Sequence, residues 1–404
     1  MTATGLYIHI PFCKKKCDYC DFASIPMDGA ADVNVEAGGR QPLHDYLIAI
    51  NNELQSYSGF VPSTIFIGGG TPTILSDDQL IRLLEILTPL CISPLARGRC
   101  PELLRGTEGV EFSIEGNPDS ITSEKLKIFK QSDINRLSIG AQSFNDDELK
   151  TLGRIHNSKQ ITEAFENARN EGFDNINIDL IFGIPGQTLE SWKRTLDIAI
   201  KLDPEHISCY GLQIEEGTPF YENYGSGCEQ KYGRNNVPPL PDDDMQYNMY
   251  KHSIDFLTSR GYHHYEISNF AKPGYECKHN INYWKNGDYL GIGASAASHI
   301  GGKRWENLRN IKEYTDHVRA IHELPQSKST SQTEITETIL MNLRLLEGMN
   351  LADFEKRFGT SFVSLYEDQL EDLISKGLAE IKSGFLRMTE KGLYLGNEIF
   401  RCFV

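Results

Sequence analysis

The 404-residue sequence holds no apolar run long enough to cross a bilayer, and nothing near Met1 reads as an export signal. Basic residues are in deficit, with 40 Lys and Arg against 56 Asp and Glu, for a formal charge of −16. A surface of that sign repels nucleic acid phosphates and anionic lipid, so broad contact with nucleic acid is excluded. The cytoplasm is the expected compartment. Peripheral membrane association needs no anchor and is compatible with these features, and so is either a monomer or a homodimer. A disulfide framework is not expected. Of nine cysteines, three crowd into eight residues, and crowded thiols without an export signal point to a metal site.

The length exceeds what one hydrophobic core usually serves, which predicts a large domain and a smaller one. Strand-like runs at Leu6–Ile10, Thr64–Ile67, Val110–Ile114, Arg136–Ile139, Ile176–Ile181 and His206–Tyr210 alternate with helical patterns. The latter are Leu43–Tyr57, Asp77–Leu90, Thr122–Gln131, Ser158–Glu171 and Thr188–Leu202. A helix between successive strands lets them pair in parallel. Repeated six times, the unit predicts an α/β fold, a partial (β/α)6 TIM-like barrel short of the eight-unit closure. Pro26–Pro42 and Cys91–Gly109 interrupt the rhythm as surface excursions, and Gly225–Asp244 reads as a loop before a helix at Met245–Arg260. A Tyr/His/Asn-rich passage, Tyr262–Trp284, and a Gly/Ala/Ser run, Gly291–Gly302, come next. From Thr333 the pattern is helical again. Leu345–Phe358, with Gly348 between helical runs, and a hairpin-like pair at Leu378–Ile381 and Phe385–Met388 predict an α+β winged-helix-like domain. The expected division is 1–240, 241–330 and 331–404. The last part is acidic (Glu347, Asp353, Glu355, Glu367, Asp368, Glu371, Asp372), which favours a structural or partner-docking role over DNA binding.

Parallel barrels gather their chemistry where strands pass into loops. After the first strand, Cys13, Cys17 and Cys20 place three thiols on one short loop. Three thiolates can hold three corners of a cubane cluster and leave the fourth iron open to a chelating ligand. Zinc is the alternative, but a structural zinc takes four protein ligands, and His9, the nearest fourth candidate, should point elsewhere along an alternating strand. The second strand ends in Gly68-Gly69-Gly70-Thr71-Pro72, where glycine allows backbone to approach a ligand closely. Glu115, Gln142 and Asp179 mark the next three strand ends. Asp179 interrupts an apolar strand, and a buried carboxylate needs partners. A satisfied structural carboxylate is the plain reading of any one of these residues, and five strand ends behaving alike weaken it.

These motifs resemble the radical S-adenosylmethionine superfamily, within it the branch of oxygen-independent coproporphyrinogen III oxidase and the HemW-type haem chaperones. The likeness runs from Tyr7 to the C-terminus. It implies that Cys13, Cys17 and Cys20 ligate a [4Fe–4S] cluster and that Tyr7 and Tyr19 border bound S-adenosyl-L-methionine. Gly69, Gly70 and Thr71 would meet the methionine end, and Glu115, Gln142, Arg154 and Asp179 the remaining polar groups, ribose included. The implied chemistry is reductive cleavage of the sulfonium to methionine and a 5′-deoxyadenosyl radical, with the barrel orienting the cofactor. The oxidase has a further cysteine two residues after the third ligand, where this sequence has Phe22, and an N-terminal extension that is missing before Tyr7. His279-Asn280-Ile281-Asn282-Tyr283-Trp284 instead resembles the H-N-x-x-Y-W signature of the chaperones. The segment offers an imidazole for haem iron and aromatic faces, Tyr283 and Trp284, for the macrocycle. The expected function is delivery of haem to acceptor haemoproteins, with an enzyme acting on a tetrapyrrole as the alternative. The haem site is expected to be separable from the cluster by mutation of His279, because the two motifs share no residue.

Overall fold

The computed structural model describes residues 4–27, 41–57, 59–87, 90, 109–225, 238–320, 327–328 and 331–404. The two excursions at 26–42 and 91–109, with Cys91 and Cys100, lie almost wholly outside the described residues. Most of the loop expected at 225–244 lies outside them too.

Six parallel strands form the wall: β1 (Thr4–Ile10), β2 (Thr64–Gly69), β3 (Glu111–Gly116), β4 (Arg136–Gln142), β5 (Ile176–Phe182) and β6 (His206–Gly211). They pair in chain order, with Leu6 opposite Ile65, Ile65 opposite Phe112 and Asp179 opposite Ser208. Helices α1 (Gln41–Ser56), α2 (Asp77–Leu87), α3 (Ser123–Gln131), the short α4 (Asp146–Thr151), α5 (Ser158–Asn170) and α6 (Leu189–Lys201) supply the crossovers. Their ends follow from side chains: Thr122, Asn157 and Thr188 cap α3, α5 and α6 by accepting backbone N–H groups.

Period two along the strands sorts the side chains. Leu6, Ile8 and Ile10, Phe112 and Ile114, Leu137 and Ile139, and Ile176, Ile178 and Leu180 join the core beneath the helices. The alternate positions, Tyr7 and His9, Ser113 and Glu115, Ser138 and Gln142, Asn177 and Asp179, therefore face the lumen. A parallel sheet is buried on both faces, so polar residues on one face mark an interior with polar work to do.

The wall is longer than the six expected units. After α7 (Pro219–Tyr224) and α8 (Asp243–Thr258), strands β7 (His263–Glu266) and β8 (Asn269–Ala271) add antiparallel to the β6 edge. Beyond α9 (Lys278–Trp284), β9 (Asp288–Ile292) pairs in parallel with β1, Leu6 facing Leu290. Strands β10 (Ala297–Ile300), β11 (Lys303–Glu306) and β12 (Ser327–Lys328) continue antiparallel from it, giving a twelve-stranded sheet. The Gly/Ala/Ser run hid this edge because its residues are small for a reason. A Cβ on Gly291 would stand 2.1 Å from the Ala297 carbonyl oxygen of the neighbouring strand.

Helix α10 (Ile311–Ala320) packs on α1, where Glu53 fastens the new edge. Its carboxylate accepts from the Gly293 amide (3.0 Å), Asn307 Nδ2 (2.7 Å) and Tyr314 Oη (2.6 Å). The C-terminal part comprises α11 (Ser331–Asn342), β13 (Met349–Asn350), α12 (Leu351–Phe358), α13 (Phe362–Leu365), α14 (Glu367–Ser375), β14 (Ala379–Lys382) and β15 (Phe385–Met388), followed by two short helices. Its core of Ile339, Leu343, Phe354, Phe362, Leu373 and Leu386 is separate from the barrel core. The helix–turn–helix expected within Leu345–Phe358 lies one element earlier. Its helices are α11 and α12, and Gly348 (φ +86°) lies in the turn between them. The expected hairpin is present, with Ile381 opposite Leu386.

Candidate functional site

The cysteine loop leaves β1 at Pro11 and is tied down by its neighbours. Gly70 and Thr71 donate backbone N–H groups to the Ile10 and Phe12 carbonyls, at 2.8 and 2.7 Å. A Cβ on Gly70 would lie 2.6 Å from the Phe12 carbonyl oxygen, so glycine is what lets the second strand end reach the loop. His9, buried on the lumen side of β1, holds the returning leg. Its Nε2 faces the Ala23 carbonyl at 2.8 Å and its Nδ1 the Tyr7 hydroxyl at 3.0 Å. A carbonyl only accepts, so the proton sits on Nε2 and Tyr7 donates to Nδ1. Burial lowers the His9 pKa and keeps this neutral form.

A cavity of about 500 Å³ opens at the carboxyl ends of the strands. Cys13, Cys17, Cys20, Tyr19, Gly69, Gly70, Thr71, Glu115, Gln142, Arg154 and Asp179 all line it. The structure thus brings together eleven of the residues singled out from the sequence. The three thiols are free, and among the described residues no three His, Cys, Asp or Glu side chains converge on one point as a single ion demands. Thiols spread over one wall can instead engage separate irons of a cluster.

Two of the sulfurs are joined by a hydrogen-bond chain. Thr71 Oγ1 donates to Cys13 Sγ (3.6 Å), and Asn117 Nδ2 donates to Thr71 Oγ1 (3.1 Å). Arg154 Nη2 donates to Asn117 Oδ1 (2.7 Å) and to the Gly140 carbonyl (2.8 Å), while its Nη1 reaches Cys17 Sγ (3.4 Å). Burial opposes the Arg154 charge, but Tyr19 and Cys17 beside it outweigh burial and raise its pKa. Nothing local in the sequence marks Asn117, two residues after Glu115, as the link.

Across the cavity, Asp179 accepts from Ser138 Oγ and Asn177 Nδ2, both at 2.8 Å. Each carboxylate oxygen has two acceptor sites, so each keeps one for a ligand. Glu115 Oε2 accepts the Gly69 amide at 3.2 Å. Burial, and then the Asp179 charge, raises Glu115 to about 8, so at neutral pH it holds a proton. The pair offers a ligand one donor-bearing acid beside one acceptor. Gln142 adopts φ +68°, a left-handed conformation that a side chain rarely takes, where the β4 register shifts. Such backbone is held at functional sites by the structure around it. Ser138 and Asn177 went unremarked in the sequence, although their alternation with apolar neighbours on predicted strands would have placed them in the lumen.

The remaining four residues lie elsewhere. His279, Tyr283 and Trp284 belong to α9, a helix where the sequence offered no regular element. Glu111, at the start of β3, accepts the free N–H groups of Lys278 and His279 at 3.0 Å each and so anchors the helix start. His279 is 1% exposed. Its Nδ1 meets Thr64 Oγ1 at 2.8 Å, its Nε2 meets the Tyr283 hydroxyl at 3.0 Å, and its ring stacks on Phe66. Burial, with the Arg136 charge, pushes its pKa down to about 3, so the ring is neutral with both nitrogens engaged. A small lumen chamber of about 200 Å³ lies against His279, Tyr283 and Tyr7.

A second large cavity, of about 510 Å³, is bordered by Tyr7, Tyr283 and Trp284 and by Asp21, Phe22 and Ala23 of the cysteine loop. Asp21 and Phe22 also border the thiol-lined cavity. The two motifs share no residue, yet residues of the α9 segment and of the cysteine loop both border this second cavity. In space their cavities adjoin.

Comparison with known proteins agrees with this architecture. The Radical SAM superfamily profile matches residues 7–199, and the HemN C-terminal domain profile matches residues 330–395. Full-length similarity is found to proteins named Heme chaperone HemW. The Bacillus subtilis protein is 38% identical, with 98% of each chain covered. That of Lactococcus lactis is 36% identical over 98% of this chain and 96% of its own. The Escherichia coli protein is 34% identical over 99% and 98%. The solved structure of coproporphyrinogen III oxidase (HemN) from Escherichia coli, a radical SAM enzyme, superposes with a TM-score of 0.77 at 26% identity, covering 100% of this chain and 90% of that one. No helix among the described residues is long and apolar enough to cross a membrane. The chain belongs to the HemW haem chaperone family of the radical SAM superfamily.

Proposed function

We propose that this chain binds haem and passes it to acceptor haemoproteins, using a [4Fe–4S] cluster and S-adenosylmethionine held at the cysteine loop. The observation that carries the reading is full-length kinship at 34–38% identity with proteins named as haem chaperones, against 26% with the oxidase. In this reading Cys13, Cys17 and Cys20 hold three irons, and the bound cluster supplies the electron for sulfonium cleavage. Thr71 and Arg154 donate to the cysteine sulfurs, which stabilises thiolate charge. Gly69 and Gly70 admit the methionine end, with Tyr7 and Tyr19 along the border. Asp179 accepts from the ribose hydroxyls, protonated Glu115 donates, and Gln142 closes the wall.

His279, Tyr283 and Trp284 form the haem-binding segment. As folded, His279 Nε2 meets the hydroxyl of Tyr283, a residue that borders the adjoining cavity, and that hydrogen bond would have to open for the imidazole to hold haem iron. The work is placed in the cytoplasm. The chain is divided at 240 and 330 into barrel, haem-binding extension and winged-helix-like part.

The test is direct. Protein with a reconstituted cluster is loaded anaerobically with haem and mixed with an apo-haemoprotein, and a parallel sample receives coproporphyrinogen III for mass spectrometry. Haem should move to the acceptor and the porphyrinogen remain intact. Decarboxylated product without haem transfer would replace this reading with the oxidase one.

A further inference from the structure

Phe22 is 68% exposed, an unusual setting for a phenylalanine. It nevertheless borders the thiol-lined cavity, the lumen chamber and the second large cavity at once. Tyr283 and Trp284 border that last cavity as well. At about 510 Å³ the space falls within the range of pockets that enclose a cofactor-sized ligand.

Its lining has two further marks of a binding site. Asn286 (φ +48°) and Ser295 (φ +61°) both hold left-handed backbone there. Constrained conformations of that kind gather at ligand sites. Arg304 stands on the same wall, its guanidinium steadied by Tyr289, Asn286 and Glu337.

We infer that this cavity is the tetrapyrrole pocket and that Phe22 is its cover, closing on the free face of the macrocycle opposite Tyr283 and Trp284. The inference rests on the haem reading above and adds a residue outside the α9 segment. Aromatic side chains along the lining suit a macrocycle, and Arg304 suits its carboxylates. Because Phe22 follows Cys20 by two residues, the bound ring lies against the cysteine loop. The position where the oxidase resemblance places a fourth cysteine thus serves ligand packing here.

Anaerobic haem titration of reconstituted wild type, Phe22→Ala, Phe22→Trp and Ala297→Trp tests it. Ala297 lines the same cavity, so a large side chain there occupies the ring's space. Phe22→Ala should weaken haem binding about tenfold or more, from the apolar area no longer covered, and Phe22→Trp should restore it. Ala297→Trp should block binding while iron and sulfide content and the circular dichroism spectrum match wild type. Wild-type haem affinity and Soret spectrum in both Phe22→Ala and Ala297→Trp would overturn the pocket. Failure of the wild type to retain haem would instead sink the chaperone reading itself.

Discussion

Asp179→Ala isolates the ligand-facing half of the thiol-lined cavity. The side chain sits on β5 between Ile178 and Leu180, both fully buried, so truncation to a methyl group leaves the strand's packing intact. Of the two donors that lose the carboxylate, Asn177 Nδ2 keeps Ser138 Oγ at 2.8 Å, and Ser138 lines the open cavity, where water can accept from its hydroxyl. The damage therefore falls on the ligand. A hydrogen bond to a charged group contributes roughly 1.5–3 kcal/mol, so losing one should weaken S-adenosylmethionine binding about 10- to 150-fold. A second consequence follows from electrostatics. Burial is the main cause of the raised Glu115 pKa and the Asp179 charge the next, so Glu115 in the variant should deprotonate below about 8. The pH dependence of binding should move in the same direction. Calorimetry on reconstituted protein without reductant reads affinity without turnover. A dissociation constant within about twofold of wild type would refute the assigned pocket. Loss of iron and sulfide alongside the affinity would refute the claim that Asp179 acts on the ligand alone.

Replacing Cys13, Cys17 or Cys20 by Ala should each abolish the cluster's broad visible absorption and its iron and sulfide, whereas stoichiometric zinc in anaerobically purified wild type would contradict the cluster assignment. Asn117→Ala breaks the chain between Cys13 and Cys17 and should lower the cluster's redox potential, measured by anaerobic titration, because donors to sulfur stabilise the reduced state; an unchanged potential would show that the link is only structural. His279→Ala should alter the haem Soret band yet leave iron–sulfur content and S-adenosylmethionine affinity intact; identical spectra would remove His279 from the haem site. Glu53 is raised by burial to about 7, so its stabilising contribution is complete below its unfolded value near 4.5 and is lost as pH rises through about 7. Glu53→Gln should therefore lose less melting temperature than wild type between pH 5 and 8, with about 3 kcal/mol as the upper bound on the wild-type loss; parallel curves would disprove the burial argument.

The parallel wall was legible because its signals are local. Each strand is a short β-branched run, α3 and α6 begin at the side-chain caps Thr122 and Thr188, and the strand ends carry residues that interrupt apolar alternation. Eleven of the expected site residues share one cavity for that reason, since parallel strands in register bring their carboxyl ends to one side. The edge at β9 gave no such signal. Its pairing with β1 joins residues more than 280 positions apart, Gly5 with Tyr289, and its sequence is dominated by the close approach of β10 at Gly291.

The same limit explains His279 and Phe22. A histidine within such a signature reads as a haem ligand, and only the fold shows Thr64, Phe66 and Tyr283 enclosing its ring. Two motifs with no residue in common read as two sites, and only the fold, with β9 beside β1, brings α9 and the cysteine loop to one cavity. That placement has a functional consequence. A ligand between Phe22 and Tyr283 touches the loop that carries Cys20, and Tyr7 borders both the lumen chamber and the second cavity. His9 holds Tyr7 on one side and the Ala23 carbonyl on the other, so a shift of that loop on binding in either cavity is felt in the other through a single imidazole. Coupling of that kind is reciprocal: whatever S-adenosylmethionine does to haem affinity, haem must do to S-adenosylmethionine affinity by the same factor. His9→Ala should reduce that factor towards one while both ligands still bind. A factor unchanged from wild type would place the coupling elsewhere.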